Sequence, residues 1–240
     1  MENADPKEVR RILETHRKRN LSLLYFMEDN PYSGLWRAGD SVMLRAESNR
    51  PWIYISSDSE NELQELLVHL KSEDRYFAAI DEWMVPHVAG GRPMKWALQL
   101  KQFVLPSRVQ LPTISPHIQT LNPDETEYIY ENYEYRGYTA PDYLRKRIVR
   151  GPTVAVYKEG ELVGWAFTHD DGAMGFLQVL PEYRRTGIGS RLVLALSRKV
   201  LDRGRIPFAY IETENTPAIR LMQELGFVVQ KEVRWFALER

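Results

Sequence analysis

The stretch Val179–Ser190, VLPEYRRTGIGS, passes from a short apolar, strand-like run through two glycines into a long helical pattern, and that junction limits the folds open to the chain. From Gly187 to about Arg203 the run GIGSRLVLALSRKVLDR sets Leu192, Leu196 and Val200 on one side of a helix and stops at Gly204. A helix that begins directly behind glycines leaves its first N–H groups without intrahelical partners and aims them, with the positive end of its dipole, into the turn. Gly187 and Gly189 have no Cβ, so an anion can approach the amides of Thr186, Gly187, Ile188, Gly189 and Ser190, and Arg184 or Arg185 can add a charged donor. A diphosphate suits this set of donors better than a single carboxylate. A lone G-x-G is weak evidence, because ordinary tight turns use the same glycines. The elements on either side give it meaning.

Upstream, 117–121 reads as a strand, 123–133 and 140–149 as helices joined by a glycine-containing loop, and 153–158 and 162–169 as strands around the turn Glu159-Gly160. A second turn, Asp170-Asp171-Gly172, leads into a strand over 174–180, so the order before the glycines is βααβββ. Downstream, 207–212 reads as a strand and Thr216-Pro217 opens a helix. Ala218, Leu221, Met222 and Leu225 form its buried stripe, Gly226 stops it, and 227–230 and 233–238 read as two closing strands.

The first half is a mixed α/β pattern of its own. Pro6 after Asp5 starts an amphipathic helix that carries Val9, Ile12 and Leu13 to about Lys18. Strand-like runs at 41–45, 52–56, 76–80 and 96–105 surround a helix near 60–71, whose Leu63, Leu66, Leu67 and Leu70 make one stripe. Residues 105–116, LPSRVQLPTISP, hold three prolines and no sustained period, as a connector does. This places a boundary near 107–115, between an N-terminal α/β domain over 1–110 and a second domain over 116–240. No internal repeat is visible by eye, although two α/β halves of similar size leave room for a degenerate duplication.

Composition narrows the chemistry. The 32 Lys and Arg nearly balance 33 Asp and Glu, so no whole-molecule field draws the chain to nucleic acid or an anionic membrane, and any anion site must be local. With no Cys there is no disulfide, thiolate ligand or Cys nucleophile, and the five His lack a metal-type spacing, so no metal is expected. The charged N-terminus lacks a signal-peptide core and no segment reaches 18 uninterrupted apolar residues, which points to a cytoplasmic protein.

Arg184-Arg185-Thr186-Gly187-Ile188-Gly189 matches R/Q-x-x-G-x-G/A, and Asn215, Ala218, Leu221, Leu225, Gly226 and Phe227 match N-x-x-A-x-x-L-x-x-x-L-G-F. On these motifs, residues 117–240 resemble the GNAT acyltransferase superfamily. VLPEYRR, the NTPAIRLMQELGF run and the additional N-terminal half are most similar to its glycine N-acyltransferase-like branch. The resemblance implies a mostly antiparallel mixed sheet flanked by helices, with the first half as a possible degenerate copy. It further implies acetyl-CoA or another acyl-CoA as co-substrate and a small-molecule amine or amino acid as acceptor. It assigns the main chain of Val179 and Leu180 to the pantetheine arm, Arg184 through Ser190 to the pyrophosphate, and Asn215 to the distal cofactor. The family often has a Glu early in the fourth strand and a Tyr in the last helix; those positions here are Ala173 and Met222.

Transfer to an amine needs an unprotonated nucleophile, a donor for the oxyanion and an acid for the thiolate, and alignment alone supplies much of the rate. Glu212, at the end of a strand, and His169, at a hairpin edge beside Asp170 and Asp171, rank first as bases; a helix cap and a solvated turn residue are the plain alternatives. Six tyrosines between Tyr128 and Tyr143 suit an acceptor wall, though aromatics at helical spacing more often fill a core. A non-catalytic acyl-CoA-binding module is the competing reading. A dinucleotide oxidoreductase is set aside, because the third glycine of its motif is Leu192 and the motif comes late.

Overall fold

The computed structural model describes residues 4–239. Asp5 accepts the Lys7 amide at 3.0 Å and caps α1 (Pro6–Thr15), with Pro6 holding the first helical φ. α2 (Leu21–Asp29) follows, and every residue from Leu21 to Met27 is buried. A helix buried all round has no polar face, which is why helical spacing alone did not reveal it. β1 (Tyr32–Ala38), β2 (Ser41–Glu47) and β3 (Pro51–Ser56) form an antiparallel meander. Then come α3 (Glu60–Leu67), β4 (Tyr76–Asp81), a short α4 (Val85–Ala89) and β5 (Met94–Val104).

The second run of elements is β6 (Ile118–Gln119), α5 (Thr126–Asn132), α6 (Pro141–Arg150), β7 (Thr153–Lys158), β8 (Glu161–Thr168), β9 (Met174–Val179), α7 (Ile188–Asp202), β10 (Phe208–Glu212), α8 (Thr216–Glu224) and β11 (Val228–Leu238). From α1 to β5 the order is ααβββαβαβ, and from α5 to β11 the same order recurs. A duplication that the letters conceal is thus explicit in the element order.

A seven-stranded sheet has the order β1-β2-β3-β4-β11-β5-β10, and a four-stranded sheet has the order β6-β7-β8-β9. Antiparallel pairs dominate; β3 and β4 pair in parallel, Trp52–Tyr54 against Tyr76–Ala78. The result is the expected mixed α/β fold, a mostly antiparallel sheet flanked by helices.

The chain divides into two compact units. The first holds residues up to Phe103 together with Ile211–Thr216 and the segment from Val229 onward; the second holds Val104–Tyr210 and Pro217–Val228. The first unit's core packs α3 and α4 against its sheet, with Phe236 of β11 stacked on Phe77 of β4 at 4.9 Å. β11 is one strand of eleven residues, not two. Its polar middle is satisfied from the flanks, Lys231 by Asp81 at 2.8 Å and Glu232 by Lys101 at 3.4 Å, so the ladder need not break there. In the second unit Ile129, Leu144, Ile148, Trp165, Phe167 and Phe176 form the core on one face, and α7 covers β7, β8 and β9. A Cβ on Gly164 would stand 3.1 Å from Ile188 and 3.3 Å from Leu192, so the glycine admits α7 closely onto β8.

Candidate active site

β9 is the last strand of its sheet, so one row of its N–H and C=O groups faces away from β8. Such an edge pairs readily with an extended chain that carries amides. Beyond Val179 the Leu180 amide still bonds the Val163 carbonyl at 3.0 Å, and Pro181–Tyr183 makes one 3-10 turn. The backbone then reverses with Arg185 at φ 61° and Gly187 at φ 77°. Gly187 is the N-cap of α7 and supplies no side-chain cap; no acidic residue stands in the first turn. A Cβ at Gly187 would meet nothing within 4 Å, so the space over these amides is open, while one at Gly189 would reach Leu221 and Val179 at 3.8 and 4.0 Å. An exposed helix N-terminus with open space above it binds a multiply charged anion. Edge and turn together suit a ligand with an extended amide arm ending in a diphosphate.

Arg184 sits at the corner between the two. Its Nε donates to the Val179 carbonyl at 3.0 Å, and its guanidinium lies 3.6 Å from Glu134 in the loop after α5. The Thr186 hydroxyl donates to the Tyr183 carbonyl at 2.6 Å and fixes the turn.

Towards its start β9 is irregular. Trp165 pairs Gln178 and Phe167 pairs Gly175, so Ala166 alone opposes both Phe176 and Leu177. Phe176 has φ 49°, a left-handed conformation that costs a side-chain-bearing residue about 1–2 kcal/mol. Rings hold it there: Phe167 stacks at 4.3 Å, His169 lies at 4.2 Å, and Tyr133 and Tyr143 flank it at 5.5 and 6.2 Å. Bulges of this kind turn backbone groups out of the ladder beside functional sites.

The β8–β9 hairpin gathers titratable groups. The His169 amide donates to the Ala173 carbonyl at 2.8 Å, and the Ala173 amide donates to Asp171 Oδ1 at 3.0 Å. Asp171 Oδ2 is buried and has no hydrogen-bond partner. From α6, buried Arg147 donates through Nε to the Thr168 carbonyl at 3.1 Å, and the Tyr143 hydroxyl accepts the Asp170 amide at 3.4 Å. Burial, reinforced by Arg147 and opposed by Asp170, lowers the His169 pKa to about 4, so its imidazole is neutral at pH 7. Burial, reinforced by Asp170, raises the Asp171 pKa to about 7. Burial also holds the Tyr143 phenol well above its usual range.

Val179, Leu180, Arg184–Ser190 and His169 therefore share the second unit. Glu212 ends β10 and its carbonyl accepts the Asn215 amide at 3.0 Å; both belong to the 211–216 segment of the first unit. Ala173 and Met222 are buried. Of the six tyrosines, Tyr130, Tyr133 and Tyr143 pack on the core, while Tyr128, Tyr135 and Tyr138 are exposed. Asp171 stands in the sequence reading only as a hairpin neighbour of His169, and nothing there marks its carboxylate as buried or brings Arg147 beside it. The Asp-Asp-Gly turn was the available signal, but turns are ordinarily solvated and nothing local announces a buried one.

The first unit repeats the element order without the opening. β3 is flanked by β2 and β4, so its edge is filled. The three residues between β3 and α3 contain no glycine, Ser59 caps Glu62, and Glu60 and Glu62 place negative charge in the first turn. A phosphate is disfavoured there. A polar cleft of about 430 Å³ nearby holds the Arg19–Asp58 ion pair, and its Glu62 accepts the Ser41 hydroxyl.

The architecture has counterparts among solved structures. A Drosophila protein superposes with a TM-score of 0.79 at 18% identity over 99% of this chain and 98% of that one. A GCN5-related N-acetyltransferase from Kribbella flavida gives 0.59 at 14% identity over 93% and 95%, and an acetyltransferase of the GNAT family from Colwellia psychrerythraea gives 0.54 at 12% over 95% and 96%. The fold is that of the GNAT acetyltransferases. Residues 154–236, from β7 into β11, match the family model for FR47-like proteins. No curated protein matches the chain. The GNAT likeness extends over both halves, since the matched structures cover nearly the whole chain. Among the described residues no group of His, Cys, Asp and Glu is placed to hold a metal ion, and no helix is long and apolar enough to cross a membrane.

Proposed function

We propose that the chain is an acyl-CoA-dependent N-acyltransferase, most simply an N-acetyltransferase, that acylates the primary amine of a small molecule or amino acid. One observation carries the reading: the open edge of β9 runs directly into an uncapped helix N-terminus behind Gly187, so an extended amide arm and a diphosphate are accommodated in series. The thioester of a cofactor laid along this edge falls near the bulge at Phe176, and Val179 through Ser190 hold the arm and the pyrophosphate. Asn215 is assigned to the distal part of the cofactor. With no Cys in the chain, the amine attacks the thioester directly in a ternary complex. His169, beside the bulge, and Glu212 are the candidates for the proton acceptor that the sequence offers; burial lowers the His169 pKa to about 4 and makes its imidazole a weak base.

The glycine N-acyltransferase-like branch is the favoured placement within the superfamily, on the strength of VLPEYRR, NTPAIRLMQELGF and the two-fold element order. The competing reading, an acyl-CoA-binding module without turnover, draws on the buried apolar side chains of Ala173 and Met222. A thiol-release assay with acetyl-CoA and longer acyl-CoAs, across amino acids and small amines, separates the two. Acceptor-dependent release is expected. Binding of acyl-CoA without release from any acceptor would favour the module.

A further inference from the structure

We propose that Asp171 is the proton acceptor of this transfer, an inference that rests on the acyltransferase reading and gives its second unit a base. The β8–β9 hairpin leads into the bulge at Phe176, and it carries Asp171, whose Oδ2 is buried without a hydrogen-bond partner. Oδ1 is tied to the Ala173 amide at 3.0 Å, which fixes the carboxylate plane, while Oδ2 is buried and takes no hydrogen bond. A buried carboxylate oxygen left without a donor costs stability and serves no structural end, because the turn needs only Oδ1. Buried carboxylates with raised proton affinity concentrate at sites where protons are exchanged.

The surroundings suit that role. Burial, and then Asp170 on the same turn, raises the affinity of Asp171 for a proton, and the Ala173 amide and Arg147 from α6 moderate it. His169 across the hairpin is neutral at pH 7, and Tyr143 from α6 keeps its proton, so neither competes for the one leaving the amine. With a pKa of about 7, Asp171 is divided between its two forms at neutral pH, where a general base works best.

In the step, an ammonium acceptor gives one proton through a bridging water to Asp171 Oδ2 and becomes a free amine. Its nitrogen lone pair forms the bond to the thioester carbon, and the carbonyl electrons move onto oxygen. They return as the C–S bond breaks. The second proton on nitrogen goes to the departing thiolate, which leaves as free CoA. The products are the amide and CoA, with one proton passed from Asp171 to solvent.

The test compares wild type with Asp171→Asn, which keeps an oxygen for the Ala173 amide. Acyl-CoA affinity is read by calorimetry and acceptor-dependent thiol release is read from pH 5.5 to 9. The expected result is an acyl-CoA affinity within about twofold of wild type, with turnover lower by about 10²–10⁴-fold and no acid limb near pH 7. Unchanged turnover and an unchanged limb in the variant would overturn the proposal and leave the acyltransferase reading standing. Absence of release from wild type with acyl-CoA bound would overturn both. Should the variant not fold, wild type decides through acceptors of graded amine pKa: a limb fixed near pH 7 supports Asp171, and one that follows the acceptor's own pKa excludes it.

Discussion

The imidazole of His169 lies 4.2 Å from the ring of Phe176, a residue held at φ 49° in the middle of β9. The contact joins the hairpin that gathers the titratable groups to the bulge that turns backbone away from β8. Gly175 makes it possible, since a Cβ there would collide with the His169 ring.

Phe176 is strained and buried at once, so its replacements should rank in an unusual order. Phe176→Ala removes the ring and keeps the left-handed penalty, for a loss of about 3–5 kcal/mol. Phe176→Gly also removes the ring but relieves that penalty, and should be more stable than the alanine variant by about 1 kcal/mol. Urea denaturation of the two variants checks the order, which is the reverse of that expected in a regular strand.

The cofactor turn should respond to small additions over its amides. At Gly189 an added methyl has room, with its nearest neighbours at 3.8 and 4.0 Å, so Gly189→Ala should fold normally. It should leave CoA binding within about twofold, whereas Gly187→Ala, whose Cβ would stand in the open space over the amides, should weaken it about tenfold, a loss of about 1.4 kcal/mol. Calorimetry with CoA, beside a thermal melt, separates the two effects.

The hairpin should give two opposed pH dependences of stability. Asp171 has its folded pKa raised to about 7 from 3.8, so its contribution is full below about pH 3.8 and is lost as pH rises through 7. His169 has its folded pKa lowered to about 4 from 6.5, so its contribution is present above pH 6.5 and is lost as pH falls through 4. From pH 5 to pH 8, Asp171→Asn should gain stability relative to wild type; from pH 8 to pH 5, His169→Gln should do so. Chemical denaturation at both pH values reads each sign.

Each chain should bind one acyl-CoA. The first unit carries the same order of elements, but its β3 edge is covered by β4 and its α3 begins with Ser59, Glu60 and Glu62. A calorimetric stoichiometry of two would contradict this. Removing the two acids should not create a second site, because the strand edge stays closed.

What could be read from the letters alone divides by how local its cause is. The strand, the glycine turn and α7 were legible because a tight turn and a one-sided leucine stripe are written in neighbouring residues. α2 was not, since LSLLYFM is apolar or buried on every side and shows no period. β1 was hidden in a similar way: Gly34 breaks its strand pattern, and the reason for that glycine is the Trp36 side chain lying over it. The turn residues assigned to the cofactor came from a motif, whereas the buried state of Asp171 depends on α6 packing over the hairpin. Nothing in HDDG states that the second aspartate loses its water.

β11 occupies the gap between β4 and β5, although more than a hundred residues of chain separate it from either. During synthesis on the ribosome, the amino-terminal half therefore emerges with the facing edges of β4 and β5 unfilled and must wait for the last strand to be made. Any fragment that stops before Val228 keeps both edges open and is a candidate for intermolecular pairing. Damage to the carboxyl terminus is then felt first in the amino-terminal unit, which contains neither the glycine turn nor the bulge.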